Sequence, residues 1–338
     1  MNSQRDPTLR WQSAFDRIDA SMHADPEGAL SLCKQIFVET YLWEPQIYVR
    51  AAERYGKIMD HLGKSVEARD SLFAAQQAAQ GSCLPIYEAK ILERLARSYY
   101  TVGDYARALQ YWNSCIEVSS RTEGDAETWI LAEVGLAQVY KGSGNYAQSQ
   151  AVLAEAQARS VEVGNPHLDA KIKINLAVIL LEQGQAEAAS SVLHETLRMC
   201  SENHLYDYAA ESNLYLGKIA LSEGALDSAW AYLDAGLQAA GKVNFRWAEA
   251  HLLEVQAEVY AGRADFAMAL QAVKQAQAIA TADGFSDMLI QQHFAAAEYA
   301  AAMNDFATAY AEHKAGRACE QRAAAERVKH ELSEGPLG

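Results

Sequence analysis

The chain has 338 residues, half of them hydrophobic, with 29 basic and 44 acidic side chains and a formal charge of −15. That negative excess disfavours long-range attraction to nucleic acid or anionic membranes, and no apolar run approaches the roughly 20 residues of a membrane helix. Five cysteines, an odd number without paired spacing, argue for reduced thiols, and residues 1–22 lack the apolar core of a secretory signal, so a cytoplasmic location is expected.

From the N-terminus, residues 9–22 and 26–42 read as an irregular helical hairpin. Asp25-Pro26-Glu27 supplies a cap and a first-turn proline for its second helix. A fixed period then takes over. Gly63, Gly103, Gly144, Gly184, Gly224, Ala264 and Asn304 follow one another at steps of 40 or 41 residues. Each stands between two segments of helical periodicity, such as Leu92, Leu95, Ala96 and Tyr99 before Gly103, and Ala108, Leu109, Trp112 and Cys115 after it. Glycine closes a helix in the left-handed conformation at little steric cost, and Asp104, Asn145 and Asp265 are placed to accept from the free amides of the next helix.

No segment alternates like a strand, and only 6 prolines interrupt the chain. The expected fold is all-α, an α-solenoid of about eight antiparallel hairpins: residues 1–44 as the irregular hairpin, 45–316 as seven repeats, and 317–338 as a C-terminal extension. A period in this range means stacked units that bury their apolar faces against one another, which lowers the expectation of a catalytic cleft.

Three positions of the unit stay small, for example Ala96, Ala108 and Cys115, or Gly217, Ala229 and Gly236. They predict close helix contacts. The last helix is expected from Asp305 to about Leu332, past Gly316, ending before Gly335-Pro336, with Ala318, Ala325, Val328 and Leu332 as a sparse seam for docking back or for a weak dimer; the protein is expected as a monomer or such a dimer.

Chemistry-bearing motifs are missing. Gly63-Lys64-Ser65 has no glycine at the phosphate-loop spacing, the nine histidines form no zinc pattern, and no glycine-flanked serine elbow occurs. No enzyme activity, metal or cofactor is expected.

The order Leu95-Ala96, Tyr99, Gly103, Tyr105, Ala108, Trp112 and Cys115 resembles the tetratricopeptide repeat (TPR) signature, and it recurs from Leu136-Ala137 to Ala156 and from Leu216-Gly217 to Gly236. The unit here is six residues longer than the usual 34 of that family. The extra length is expected in longer helices and in the loop between repeats. The turn glycine with its flanking tyrosines favours TPR over HEAT or armadillo repeats, and the resemblance implies a right-handed superhelix.

The resemblance also implies that partners bind in a concave groove lined by the first helix of each repeat. Carried onto this chain, the groove holds Arg50, Arg54, Lys57, Lys90, Arg94 and Arg97 at a basic end. It continues through Gln138, Lys171, Ile174, Asn175, Val178, Leu214 and Lys218 to an acidic end with Glu254, Glu258 and Glu298. A protein or peptide partner, with an acidic segment against the basic end, is the expected ligand. The opposing reading is that Glu53 and Glu93 simply pair with Lys57 and Arg97 along one helix. The lysine and asparagine of a chaperone carboxylate clamp are replaced by Glu53 and Lys57, so binding of that kind is not expected.

Two functions follow. The first is a non-catalytic adaptor or regulatory scaffold. The alternative rests on Tyr310, His313-Lys314 and the charged run from Arg317 to Leu332, which resemble the end of sensory regions in bacterial signalling proteins of the diguanylate cyclase or histidine kinase type; these relay through the C-terminal helix.

Overall fold

The structure, a computed structural model, describes residues 7–22, 24–41, 43–122 and 125–334, without the side chains of 7–10 and 326–334. Leu42, Gly335-Pro336 and the Val328 and Leu332 side chains, named above, lie outside the described residues.

Sixteen α-helices and no strand occur among the described residues. In chain order they are α1 (Pro7–Ser21), α2 (Pro26–Thr40), α3 (Pro45–His61), α4 (Arg69–Gly81, entered through a short 3-10 turn at Ser65–Ala68), α5 (Pro85–Tyr100), α6 (Tyr105–Ser120), α7 (Ala126–Gly142) and α8 (Tyr146–Val163). There follow α9 (Pro166–Glu182), α10 (Ala186–Asn203), α11 (Tyr206–Ser222), α12 (Leu226–Lys242), α13 (Arg246–Gly262), α14 (Phe266–Asp283), α15 (Ser286–Ala302) and α16 (Phe306–Glu334). The fold is an all-α array of helical hairpins. Pro7, Pro26, Pro45, Pro85 and Pro166 each open a helix, where the missing amide hydrogen is no loss.

Local geometry explains the period. All seven turn positions within hairpins adopt positive φ, from +59° at Ala264 to +80° at Gly103. Each lets the following residue donate back across the turn, as Asp104 N does to Tyr99 O at 3.0 Å and Asp265 N to Tyr260 O at 2.9 Å, satisfying carbonyls that a helix end leaves open. Asp104, Asn145 and Asp265 then cap the next helix, accepting from Arg107 N, Gln148 N and Met268 N at 3.1–3.2 Å.

A second series of left-handed residues, at Gly164, His204, Asn244 and Gly284, closes the second helices at the same 40-residue spacing. Reading the sequence for turns inside hairpins overlooked this series, although its period was there to be found. These closures are tight: only Gly164 and Asn165 separate α8 from α9, and only Gly284 and Phe285 separate α14 from α15. The length beyond a common TPR unit therefore sits in the helices, most of them 16 to 18 residues long, rather than in the loops between repeats.

The chain divides into two compact units, Met1–Ile179 and Leu180–Gly338. In the first, Phe15, Ile18, Cys33, Ile36, Ile58, Leu72 and Leu95 form one fully buried cluster, and Trp112 with Ala89, Ala96 and Ala132 forms the next. Gly135 lies flat against the Trp112 ring, so close that an added Cβ would overlap it. In the second unit, Gly217 and Gly236 receive Leu233 and Leu252: a Cβ on either would fall 2.6–2.7 Å from a leucine methyl. The small positions are packing positions, with Ala108, Ala156, Ala189, Ala229 and Ala269 wholly buried.

In the second unit α16 is held by polar contacts at its first half. Glu312 accepts from Lys274 at 2.5 Å and Gln277 at 3.0 Å on α14 and lies 2.8 Å from His293 Nδ1 on α15. The helix runs on to Glu334 without a break.

Candidate functional site

Every first helix buries one face and leaves a partly open one, and the side chains expected at a groove distribute between the two. On α3 and α5 the open face is dense with charge. Arg54 forms a two-pronged bond to Asp19 on α1, at 2.7 and 2.8 Å, and stacks over Phe15 at 4.7 Å; Arg50 lies over the same ring at 4.3 Å. Arg94 stands 3.9 Å from both Glu53 and Asp60 and 3.3 Å from Glu93. Arg97 reaches Glu93 at 2.6 Å and Asp60 at 3.6 Å. Glu93 is 1% exposed, yet burial does not neutralise it: Arg94, Arg97 and Lys171 outweigh the loss of water and hold its carboxyl at about 2.

The arginines of the basic end are thus cross-braced between α1, α3 and α5. Of the two expected single-helix pairs, the structure brings together Glu93 and Arg97, while Glu53 turns to Arg94. Pairing between helices was invisible to sequence spacing because the partners stand 34 to 41 residues apart. Lys57 is exposed, and Lys90 and Lys171 are half-buried. Asp125 feels the charge of Lys90. Cations and carboxylates are thus interleaved on this face, with the Lys57 side chain open to solvent. Within the network, Glu93 Oε2 and Arg94 Nε are buried without a hydrogen-bond partner.

On α7 and α9, Gln138 donates to Asn175 at 3.0 Å, and Asn175 donates to the Lys171 carbonyl at 2.8 Å, leaving Val178 half-buried beside them. Ile174 is only 3% exposed, so it packs in the core instead of presenting a surface.

In the second unit Leu214 is likewise buried, at 1% exposure. Helical pattern places both residues one step from the open face, and only packing shows which way they turn. Lys218, Glu258 and Glu298 are exposed. Partial desolvation at its carboxyl and the nearby Glu254 raise Glu258 above its ordinary value despite Lys218, although the side chain reaches solvent. Burial and the same three glutamates raise the Tyr299 phenol to about 12. His251 Nδ1 lies 3.4 Å from Glu254. This is a negatively charged face.

Sequence reading also passed over an apolar surface at the first hairpin. Val38, Tyr41 and Trp43 are 87%, 54% and 81% exposed, and with Phe37 and Tyr48 they line a cleft of about 370 Å³. Its signal was available: Val38 and Trp43 occupy outward positions that hold Gln77 and Ser82 in the following hairpin.

Among the described residues, no group of three histidine, cysteine or carboxylate side chains is placed to hold a metal, and no helix is long and apolar enough to cross a membrane. The five cysteines are free, four of them buried.

No protein-family model matches the chain, and no curated protein sequence matches it significantly. Solved structures do. The chain is similar to a Rap protein complexed with the competence and sporulation factor, with a TM-score of 0.74 and 14% identity over 96% of this chain and 89% of that one. A second similar structure is the Rap conjugation gene regulator of plasmid pLS20 in complex with the Phr* peptide, with a TM-score of 0.64 and 14% identity over 83% and 76% of the two chains. A third is a signal transduction ATPase with a tetratricopeptide repeat sensor from Pyrococcus horikoshii, with a TM-score of 0.57 and 15% identity over 98% of this chain and 52% of that one. The fold is that of a TPR-type all-α solenoid.

Proposed function

We propose that the protein is a non-catalytic TPR scaffold that binds a protein or peptide segment on the open faces of its first helices and regulates a partner through that binding. The observation that carries this reading is the network on α3 and α5. Four carboxylates, counting Asp19 of α1, and three arginines brace one another in fixed positions, with Asp19, Glu53 and Asp60 still reaching solvent. Arranged donors and acceptors of this kind recognise an extended backbone and its side chains at little ordering cost. Both Rap structures named above are complexes, one of them with a peptide. The free cysteines support a cytoplasmic setting.

The cluster of cations along α3 and α5 points to an acidic segment in the ligand. Arg54 and Arg94 are bound into the network, so reversing them would disturb the fold as well as the field; Lys57 and Lys90 are the cleaner probes. Stopped-flow association of a labelled poly-glutamate peptide should slow by about tenfold in Lys57→Glu/Lys90→Glu and lose that difference at high salt. Equal association rates at low salt would exclude an acidic ligand on this face.

A sensory relay is the second reading, favoured by the 29-residue α16. It requires peptide binding to change hydrogen exchange in α16, and unchanged exchange there would dismiss it.

A further inference from the structure

The first half of α16 occupies the place that α12 and α14 occupy in their hairpins, and in those two the matching face is covered by the next helix. Leu226 on α12 lies against α13, where a Cβ on Gly262 would meet it at 3.1 Å, and Trp230 packs edge-on to Tyr260 at 5.0 Å. On α14, Phe266 and Leu270 are partly buried, and Gln277 donates to the Gln292 carbonyl of α15 at 3.2 Å. Forty residues after Phe266, Leu270 and Gln277 stand Phe306, Tyr310 and Arg317, which are 67%, 72% and 61% exposed. A following first helix would begin forty residues beyond Ser286, at position 326, but that position lies inside α16. The chain's own repeat therefore does not cover this stripe among the described residues.

We propose that the stripe of Phe306, Tyr310 and Arg317 is a docking face for an amphipathic helix of another protein, one that carries acidic residues beside its apolar seam. The helical occupant follows from continuity: α13 and α15 fill this register on the two preceding hairpins, and the aromatic side chains needed to receive a third helix are already in place. Its charge follows from the rim. Lys314 and Arg317 are exposed beside the aromatic pair, Arg317 bridged to Glu320 at 2.7 Å, whereas Glu312 is turned inward to Lys274 and His293. A second copy of α16 laid on the first would bring these cations together, which disfavours self-pairing.

The test uses a capped 17-residue peptide with the sequence of α15, which carries Asp287 and Glu298, titrated onto the full chain by fluorescence anisotropy. It should bind, more weakly as salt rises, and lose affinity by about tenfold or more in the Phe306→Ala/Tyr310→Ala variant. Both side chains are exposed, so that variant should keep the parent's circular dichroism and melting curve. An Asp287→Lys/Glu298→Lys peptide should bind less well than the parent peptide. Absence of binding, equal affinity for the double-alanine chain, or equal affinity of the two peptides would each overturn the proposal. Sedimentation velocity of the chain alone decides the remaining occupant: a dimer abolished by Phe306→Ala/Tyr310→Ala would replace the partner helix with a second copy.

Discussion

Glu133 offers a clean test of the electrostatics of the first unit. It lies on α7 at 6% exposure, and its Oε2 has no hydrogen-bond partner. Burial, reinforced by the like charge of Glu155, raises its carboxyl from 4.5 to about 7. The folded chain therefore keeps this proton up to about pH 7, whereas the unfolded chain releases it near 4.5. Between those values the folded state binds more protons, so stability falls as pH rises, and the loss is complete above the folded value. At about 1.4 kcal/mol per pH unit, the whole effect is about 3 kcal/mol. Glu133→Gln removes the charge and keeps the shape. Urea unfolding at pH 5 and pH 8 should show the two proteins close at pH 5, with the variant more stable at pH 8 by an amount of that order. If both proteins lose the same stability between the two pH values, Glu133 is not a buried unpaired carboxyl.

Other outcomes follow from packing and backbone. Ala264 holds φ at +59° without glycine's freedom, so Ala264→Gly should raise stability by about 1 kcal/mol, read as a higher urea midpoint; an unchanged or lower midpoint would mean that the turn is not strained. Gly135→Ala must displace the Trp112 ring, and a near-ultraviolet circular dichroism spectrum matching the parent would contradict that contact. Ala229 is fully buried and Glu258 exposed, so Ala229→Leu should cost about 1–3 kcal/mol while Glu258→Ala stays within about 0.5; equal denaturant midpoints would upset the register on which the open faces are assigned.

The repeat itself was legible in the sequence because its causes are local. A residue that tolerates positive φ, a capping carboxylate one step later and a helical stripe on either side act within a few positions, so Gly103, Asp104 and Tyr99 declare a hairpin wherever the chain later goes. The small positions were legible for a related reason: Ala108 and Ala229 recur at one register, and only a close helix contact demands that. What the candidate faces do depended on tertiary structure. Arg54, Arg94 and Arg97 read as a basic stripe along the chain, but helix stacking sets Asp19, Glu53 and Asp60 among them, and charges 34 to 41 residues apart neutralise one another only once adjacent repeats pack. The same stacking decides that Ile174 and Leu214 turn into the core, and that Phe306 and Tyr310, equivalent in sequence to the partly buried Phe266 and Leu270, remain open. A helix has one face for its own hairpin and another for the next, and which of them meets a neighbour is settled by the stacking of whole repeats, beyond the reach of spacing along a single helix.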